Sequence, residues 1–326
     1  VAAGNPPEYN KSVREFDVAT LDRVRKIEVL PELSVWLSYA EKNQIHSAVT
    51  TYLMAHSDHF YSVSQEVDEK RFVTARGWED LSAVLKSYEI LHFPVDEALI
   101  GQYLQEEKTA EEFSSYYRIY EKYGQDYGVE EILTGAFSGK IMAQKQQMAA
   151  NGSAEERSVL LSLFHAALRK EASACQKQEH TAKELSECFR QFTGLCRQKK
   201  DETYASWLQQ KEQGFAVCKQ QGLLKKGEKE TNARVLKKLK KLEETAKKCR
   251  KTDSDQMKEL FETVCELEQE KVEKEVKDVK LQIRRAAEFL QNSFPGGAEV
   301  VLFEANLARS PALRSFLIEK SMDAEG

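Results

Sequence analysis

Two side chains early in the sequence have the chemistry to handle a water and an anion. Asn5 ends an apolar run and precedes Pro6, which predicts an amide at the carboxyl end of a strand, where open α/β sheets bind ligands. Such an amide can hold a water, although Asn-Pro is also typical of a plain turn. Arg76 follows Thr74, a predicted helix N-cap. A guanidinium next to the positive end of the helix dipole is expected to point outward, either to an anion or to solvent.

These residues belong to a longer pattern over residues 1 to about 91, which resembles the second half of a MoxR-type AAA+ ATPase core and its lid. Besides Asn5, the pattern includes the helical turn Leu21-Asp22-Arg23 and the segment Phe72-Val73-Thr74-Ala75-Arg76-Gly77-Trp78-Glu79-Asp80-Leu81. Val24 departs from the phenylalanine that is usual in the family.

The resemblance implies a role for each of the three residues in ATP hydrolysis. Asn5 would be the sensor-1 residue that orients the attacking water. Arg23 would be the arginine finger that reaches the γ-phosphate of a neighbouring subunit. Arg76 would be the sensor-2 residue that contacts the phosphates of its own subunit. Asn5 and Arg23 are thus the expected catalytic residues, and Arg76 is expected to bind the cofactor.

ATP and Mg²⁺ are the cofactors that this resemblance implies, in a ring that is expected to be a hexamer. Such rings remodel or assemble partner proteins, including proteins with von Willebrand A domains. The phosphate-binding motif G-x-x-x-x-G-K-[ST] is missing from the sequence, and the nearest string, from Gly135 to Ile141, is one residue too short. We therefore expect a fragment that begins within a strand, and that neither binds ATP tightly nor hydrolyses it alone.

Composition favours a mainly α-helical, cytoplasmic protein. Of 326 residues, 41% are hydrophobic and 31% charged, with 15 glycines and 6 prolines. The net charge of −5 gives no general reason to expect nucleic acid, and no run of eighteen apolar residues predicts a membrane span. The six cysteines form no C-x-x-C pair and are interpreted as small core residues.

The sequence divides into three predicted domains. Residues 1–30 would end an α/β core, with Lys26–Val29 as a strand. Residues 31–150 would form the helical lid and the helices after it, becoming loose and polar from Gln144 to Gly152. Residues 151–326 would form an accessory helical domain with a coiled-coil-like arm at about 231–292. The fold class is therefore mainly α, with a remnant of an AAA+ α/β core; the apolar run 300–303 fits a strand or a helix.

The arm is predicted from complementary charge on consecutive segments. Residues 223–251 carry twelve Lys or Arg and four Glu, a net of +8, whereas residues 252–278 carry ten acidic and four basic residues, a net of −6. An antiparallel helical hairpin with a turn and cap at 252–255 brings the two charges together. Binding of nucleic acid by the basic segment is the alternative, against which the acidic neighbour would compete.

The other groups that could carry chemistry have structural interpretations in the sequence. The aromatic stripe from Phe113 to Tyr127 is typical of a helix core, although it could stack on bases. The histidines at 46, 56 and 59, and the set His165, Cys175, His180 and Cys188, suit structural positions, and no metal site is expected. The second functional hypothesis is a non-enzymatic scaffold that binds a protein partner through the arm.

Overall fold

The computed structural model describes residues 22–23, 25, 27–65, 70–198, 203–249 and 253–317. These residues are mainly helical, as predicted, with a single two-stranded sheet among them. The chain separates into two compact units, residues 1–111 and 112–326. The three-domain division stays a prediction. Asn5 and the predicted strand end before it lie outside the described residues.

Unit 1 consists of short helices and a β-hairpin. Its elements are α1 (Leu33–Lys42), α2 (Ser47–Ala55), a 3-10 turn (Ser57–His59), β1 (Ser62–Gln65), β2 (Lys70–Val73), α3 (Ala75–Leu91), α4 (Glu97–Gly101) and the start of α5 (Glu107–Tyr127). The two strands pair antiparallel, with Ser62 opposite Val73. The buried side chains come from every one of the longer helices and include Trp36, Val49, Tyr52, Trp78 and Leu81.

The strand predicted at Lys26–Val29 is wrong for the part that the structure describes. Residues 27–30 have no regular secondary structure, and Ile27, Val29 and Leu30 are exposed. A strand needs partners for its backbone groups and its apolar face, and neither described strand pairs with this segment. The apolar residues of this segment were therefore not enough to predict a strand.

Unit 2 contains the rest of α5 and the long helices. The elements are α6 (Val129–Thr134), α7 (Gly139–Ala150), α8 (Ala154–Gln198), α9 (Tyr204–Gln220), α10 (Lys226–Lys248), α11 (Ser254–Ser293), α12 (Ala298–Arg309) and α13 (Pro311–Arg314). The loose segment predicted at Gln144–Gly152 is wrong up to Ala150, because its Lys, Gln, Met and Ala residues are good helix formers. The apolar run 300–303 lies in a helix, α12.

The two longest helices, α8 and α11, pack antiparallel along one another. Phe164 contacts Phe289 at a centroid separation of 5.5 Å, and Phe189 contacts Phe261 at 5.3 Å. Phe164 also meets Phe303 of α12, at 6.4 Å. We call Phe164, Phe289 and Phe303 the Phe164 cluster.

A second apolar cluster, the Trp207 cluster, joins four helices of unit 2. Its buried members come from α8, α9, α10 and α11: Leu185, Cys188, Phe192, Tyr204, Trp207, Leu208, Val235, Leu239, Leu242, Ala246, Met257, Phe261 and Cys265. Leu260 and Val264 pack against it. The basic and acidic segments are therefore both helical, but α11 lies mainly against α8, and α10 contacts α8, α9 and α11. A protruding coiled-coil arm stays a prediction.

One carboxylate is buried between these helices. Glu268 of α11 accepts hydrogen bonds from Lys238 of α10 at 2.7 Å, from Lys271 at 3.1 Å and from Gln178 of α8 at 2.6 Å. Burial on its own raises the pKa of Glu268, but the hydrogen bonds from Lys238 and Lys271 outweigh it and the pKa lies below its ordinary value. The basic and acidic helices thus meet through this charged contact.

Local signals in the sequence fix where several helices begin. Ser153 and Glu156 form a reciprocal capping box before α8, with distances of 2.9 and 3.2 Å. The Asp253 side chain accepts from the Asp255 N–H and caps α11. In the described part of the chain, no helix combines the length and apolar character needed to cross a membrane.

Candidate functional site

Arg76 lies in the first turn of α3, as the sequence predicted. The Thr74 side chain caps this helix by accepting a hydrogen bond from the Gly77 N–H at 3.2 Å. The Arg76 side chain is exposed and makes no ion pair with any residue that the structure describes. A free guanidinium next to the unpaired N–H groups of a helix N-terminus is suited to an anion.

The buried face of α3 holds this N-terminus in place. Trp78 is fully buried, and its indole N–H donates to the His59 carbonyl at 3.3 Å. Gly77 lies so close to the segment after α4 that a Cβ atom there would be 2.6 Å from the Tyr103 carbonyl oxygen. Glycine is therefore required at the position directly after Arg76, because a larger residue would push the helix start away from its support.

The nearest carboxylate along the chain is already engaged. Glu79 accepts a hydrogen bond from the Tyr39 hydroxyl at 2.8 Å, and this bond raises the pKa of Tyr39. The bond also ties α3 to α1. Asp80, four residues after Arg76, is exposed like Arg76, so both side chains are open to solvent at this end of the helix.

Of the other two predicted site residues, Arg23 is among the described residues and Asn5 is not. Asn5 lies outside the described residues. Arg23 is in a helical conformation together with Asp22, and its side chain is exposed. The roles of Asn5, Arg23 and Arg76 in ATP hydrolysis therefore stay predictions.

The histidines of unit 1 differ in their surroundings. His46 is buried, its Nε2 lies 2.8 Å from a Glu89 oxygen, and its backbone N–H donates to the Ser82 hydroxyl at 2.7 Å. These contacts give His46 a structural role. His56 and His59, by contrast, lie together on the 3-10 turn after α2, with Asp58 between them in the sequence. A structural role for His56 and His59 stays a prediction, and their stacking on one turn was not predicted from the sequence.

The remaining candidates from unit 2 are mostly interior residues. Burial raises the pKa of Cys175, Cys188 and Cys265 to about 11, which keeps these thiols protonated. Burial also lowers the pKa of His165 to about 4, with the charge of Arg169 acting in the same direction. Most of the aromatic stripe is buried, in agreement with a core role: Phe113, Tyr117, Tyr120, Tyr123 and Tyr127.

Comparison with protein-family models, with curated proteins and with solved structures gave no match for this chain.

Proposed function

We propose that this chain is the carboxyl-terminal portion of a MoxR-type AAA+ ATPase, which couples ATP binding and hydrolysis to the remodelling or assembly of partner proteins. The observation that carries the proposal is the exposed Arg76 guanidinium at the capped start of α3, within the segment that resembles sensor 2. The close packing of Trp78 and Gly77 fixes the position of the helix turn that carries this arginine.

In this proposal Arg76 binds the phosphates of ATP by charge and hydrogen bonding. The guanidinium presents several N–H donors in one plane, an arrangement that matches the oxygens of a phosphate. The helix N-terminus beside it adds positive potential. A bound Mg²⁺ ion would neutralise part of the phosphate charge. We assign no residue of this chain as a ligand of that ion.

Arg23 and Asn5 complete the proposed machinery. Exposure of the Arg23 side chain is what a group acting on a neighbouring subunit requires. Asn5 would hold the attacking water. The proposed assembly is a ring, expected to be a hexamer, and a von Willebrand A domain protein is the partner class that the family resemblance suggests.

The experiment uses the polypeptide extended upstream to include the phosphate-binding loop. Arg76→Ala should lower kcat for ATP hydrolysis, whereas Arg118→Ala, which removes an exposed arginine from α5, should leave it unchanged. Loss of an arginine finger lowers kcat by on the order of 10³-fold, and we expect Arg23→Ala to approach that value. Equal turnover by Arg76→Ala and Arg118→Ala would refute the role of Arg76.

Mixing of subunits separates the two arginines. Arg23→Ala subunits can be mixed with subunits whose own phosphate-binding loop is inactivated by mutation. The mixed ring then contains some composite sites with an intact loop and an intact Arg23, so part of the ATPase activity should return. Arg76→Ala should not be rescued in this way, because Arg76 acts within its own subunit. The same response from both variants would contradict the assignment.

A helical scaffold that binds a protein partner is the second candidate. The observation in its favour is unit 2, in which four helices share the Trp207 cluster and carry charged outer faces. The gene sequence upstream of the codon for Val1 distinguishes the two candidates. A Gly-Lys-Ser/Thr loop encoded there in frame would support the ATPase proposal. A start codon at that position would contradict it and would favour the scaffold proposal.

A further inference from the structure

Four cations of α10 form a row that has no ion pair with any residue the structure describes. Helical spacing places them on one face of α10, away from the buried Val235 and Leu239. The three lysines are exposed and the arginine is half-buried. We call these four residues the basic row: Arg234, Lys237, Lys241 and Lys248.

The carboxylates near α10 bind other lysines of this helix instead. Three such ion pairs have N–O distances of 2.6–2.8 Å: Lys238 with Glu268, Lys240 with Glu212, and Lys247 with Glu243. Glu244 is the acidic residue that shares the face of the basic row. Four cations and one carboxylate leave this face with a net charge of +3.

A complementary row of carboxylates lies on α11. Glu262, Glu266 and Glu270 follow one another at intervals of four residues and therefore share one face of the helix. All three are exposed, and none makes an ion pair with a described residue. Glu268, the residue of α11 that binds Lys238, is buried and so belongs to another face. We call the three exposed glutamates the acidic row.

The two rows match in length and spacing. The basic row spans 14 residues of helix, or about 21 Å, and the acidic row spans 8 residues, or about 12 Å. Lys237 and Lys241 are about 6 Å apart along their axis, like each pair of neighbouring glutamates in the acidic row. Like charges four residues apart on a helix repel one another, and an opposing row would relieve this repulsion in both.

We propose that the basic row of one chain binds the acidic row of a second copy of the same chain. The contact joins two different surfaces, so each added copy again presents both rows, and the assembly grows until it closes into a ring. Single exposed ion pairs contribute little, so the contact depends on several pairs acting together and is sensitive to salt. The rows belong to unit 2 and have no part in the proposed ATP site, so this inference can fail while the proposed function stands.

The test is sedimentation velocity of the full chain at low and high salt. The Debye length is about 30 Å at 0.01 M ionic strength and about 3 Å at 1 M. We therefore expect an average mass well above that of a single chain at 0.01 M, and the mass of a single chain at 1 M. An average mass that does not change with salt would overturn the proposal.

Charge reversal in each row identifies the surfaces. Lys237→Glu with Lys241→Glu, or Glu266→Lys with Glu270→Lys, should each abolish association at 0.01 M. A mixture of these two double variants should associate again, because each supplies the row that the other lacks. All four residues are exposed, and circular dichroism verifies that each variant keeps its fold.

The matched control is Lys140→Glu with Arg309→Glu. Both residues are exposed, on α7 and α12, and their reversal changes the net charge as much as reversal of the two lysines does. This control should associate like the native chain. Association of the lysine variant to the same extent, or failure of the mixture to associate, would overturn the contact between copies. Binding of a DNA duplex through Lys237 and Lys241 by a chain that does not self-associate would likewise overturn it and assign the basic row to nucleic acid.

Discussion

Replacing Glu268 by alanine should destabilise unit 2 far more than replacing any exposed carboxylate on the same helix. The change leaves the ammonium groups of Lys238 and Lys271 and the amide of Gln178 without their shared acceptor. Breaking a buried ion pair from one side costs about 3–5 kcal/mol. The Lys238 side chain is 27% exposed and can turn towards water, so we expect about 3 kcal/mol, near the lower end of that range.

Urea denaturation followed by circular dichroism measures this loss, with Glu266→Ala as the control. Glu266 is exposed on the same helix, so its replacement should change stability by less than about 0.5 kcal/mol. For a unit of this size the loss at Glu268 corresponds to a fall in Tm of roughly 6–12 °C. Equal midpoints for the two variants would refute the argument that Glu268 joins the helices.

The pH dependence provides an independent check. The pKa of Glu268 is lower in the folded state than in the unfolded state. The contribution of the ionised Glu268 carboxylate to the free energy of unfolding is therefore complete at pH values above the ordinary, unfolded pKa. This contribution is lost as the pH falls through the lower pKa of the folded state. The difference in stability between the native chain and Glu268→Ala should therefore narrow in acid. A constant difference down to pH 2 would contradict this sign.

Two further predictions concern glycine and the apolar face of α11. Gly135 has a φ of 74°, and a Cβ atom there would lie 2.8 Å from Arg285 Cζ. Gly135→Ala should therefore lower the free energy of unfolding, measured by urea denaturation, by at least about 1–2 kcal/mol. The control is Gly139→Ala, which should leave stability nearly unchanged because the space around Gly139 is open. Val264→Asp combined with Ile283→Asp should speed hydrogen exchange along α11, because both side chains pack inward. Raising salt to 1 M should barely affect that exchange, since it screens only exposed ion pairs; strong salt sensitivity would show that charge dominates.

Local features of the fold could be predicted because a few neighbouring residues determine them. The caps at Thr74, Ser153 and Asp253 depend on a hydrogen bond to a backbone N–H two or three residues away. The burial of the aromatic stripe follows from helical periodicity. Residues 151–326 were also predicted to be helical, and their described part forms α8 to α13.

The choice of helix partners could not be predicted from charge. Complementary charges favoured pairing of α11 with α10, yet the structure places α11 along α8. Exposed charge pairs contribute little, so burial of aromatic residues such as Phe189 and Phe261 determines the main contact. The hairpin of β1 and β2 was missed because strands of four residues carry too little pattern.

The position of Arg76 at the start of α3 could be predicted, because its N-cap Thr74 is a local signal. The stacking of His56 on His59 could not be predicted, since it depends on the 3-10 turn between them.

The antiparallel pair α8 and α11 makes the two apolar clusters of unit 2 mechanically interdependent. Phe164 and Phe192 lie 28 residues apart on one continuous helix, a separation of about 42 Å. Both clusters are built on the same two rods, so a tilt at the Phe164 cluster is carried along them to the Trp207 cluster. A displacement of α12, which packs at the Phe164 cluster, is thereby transmitted to α9 and α10, which pack at the Trp207 cluster.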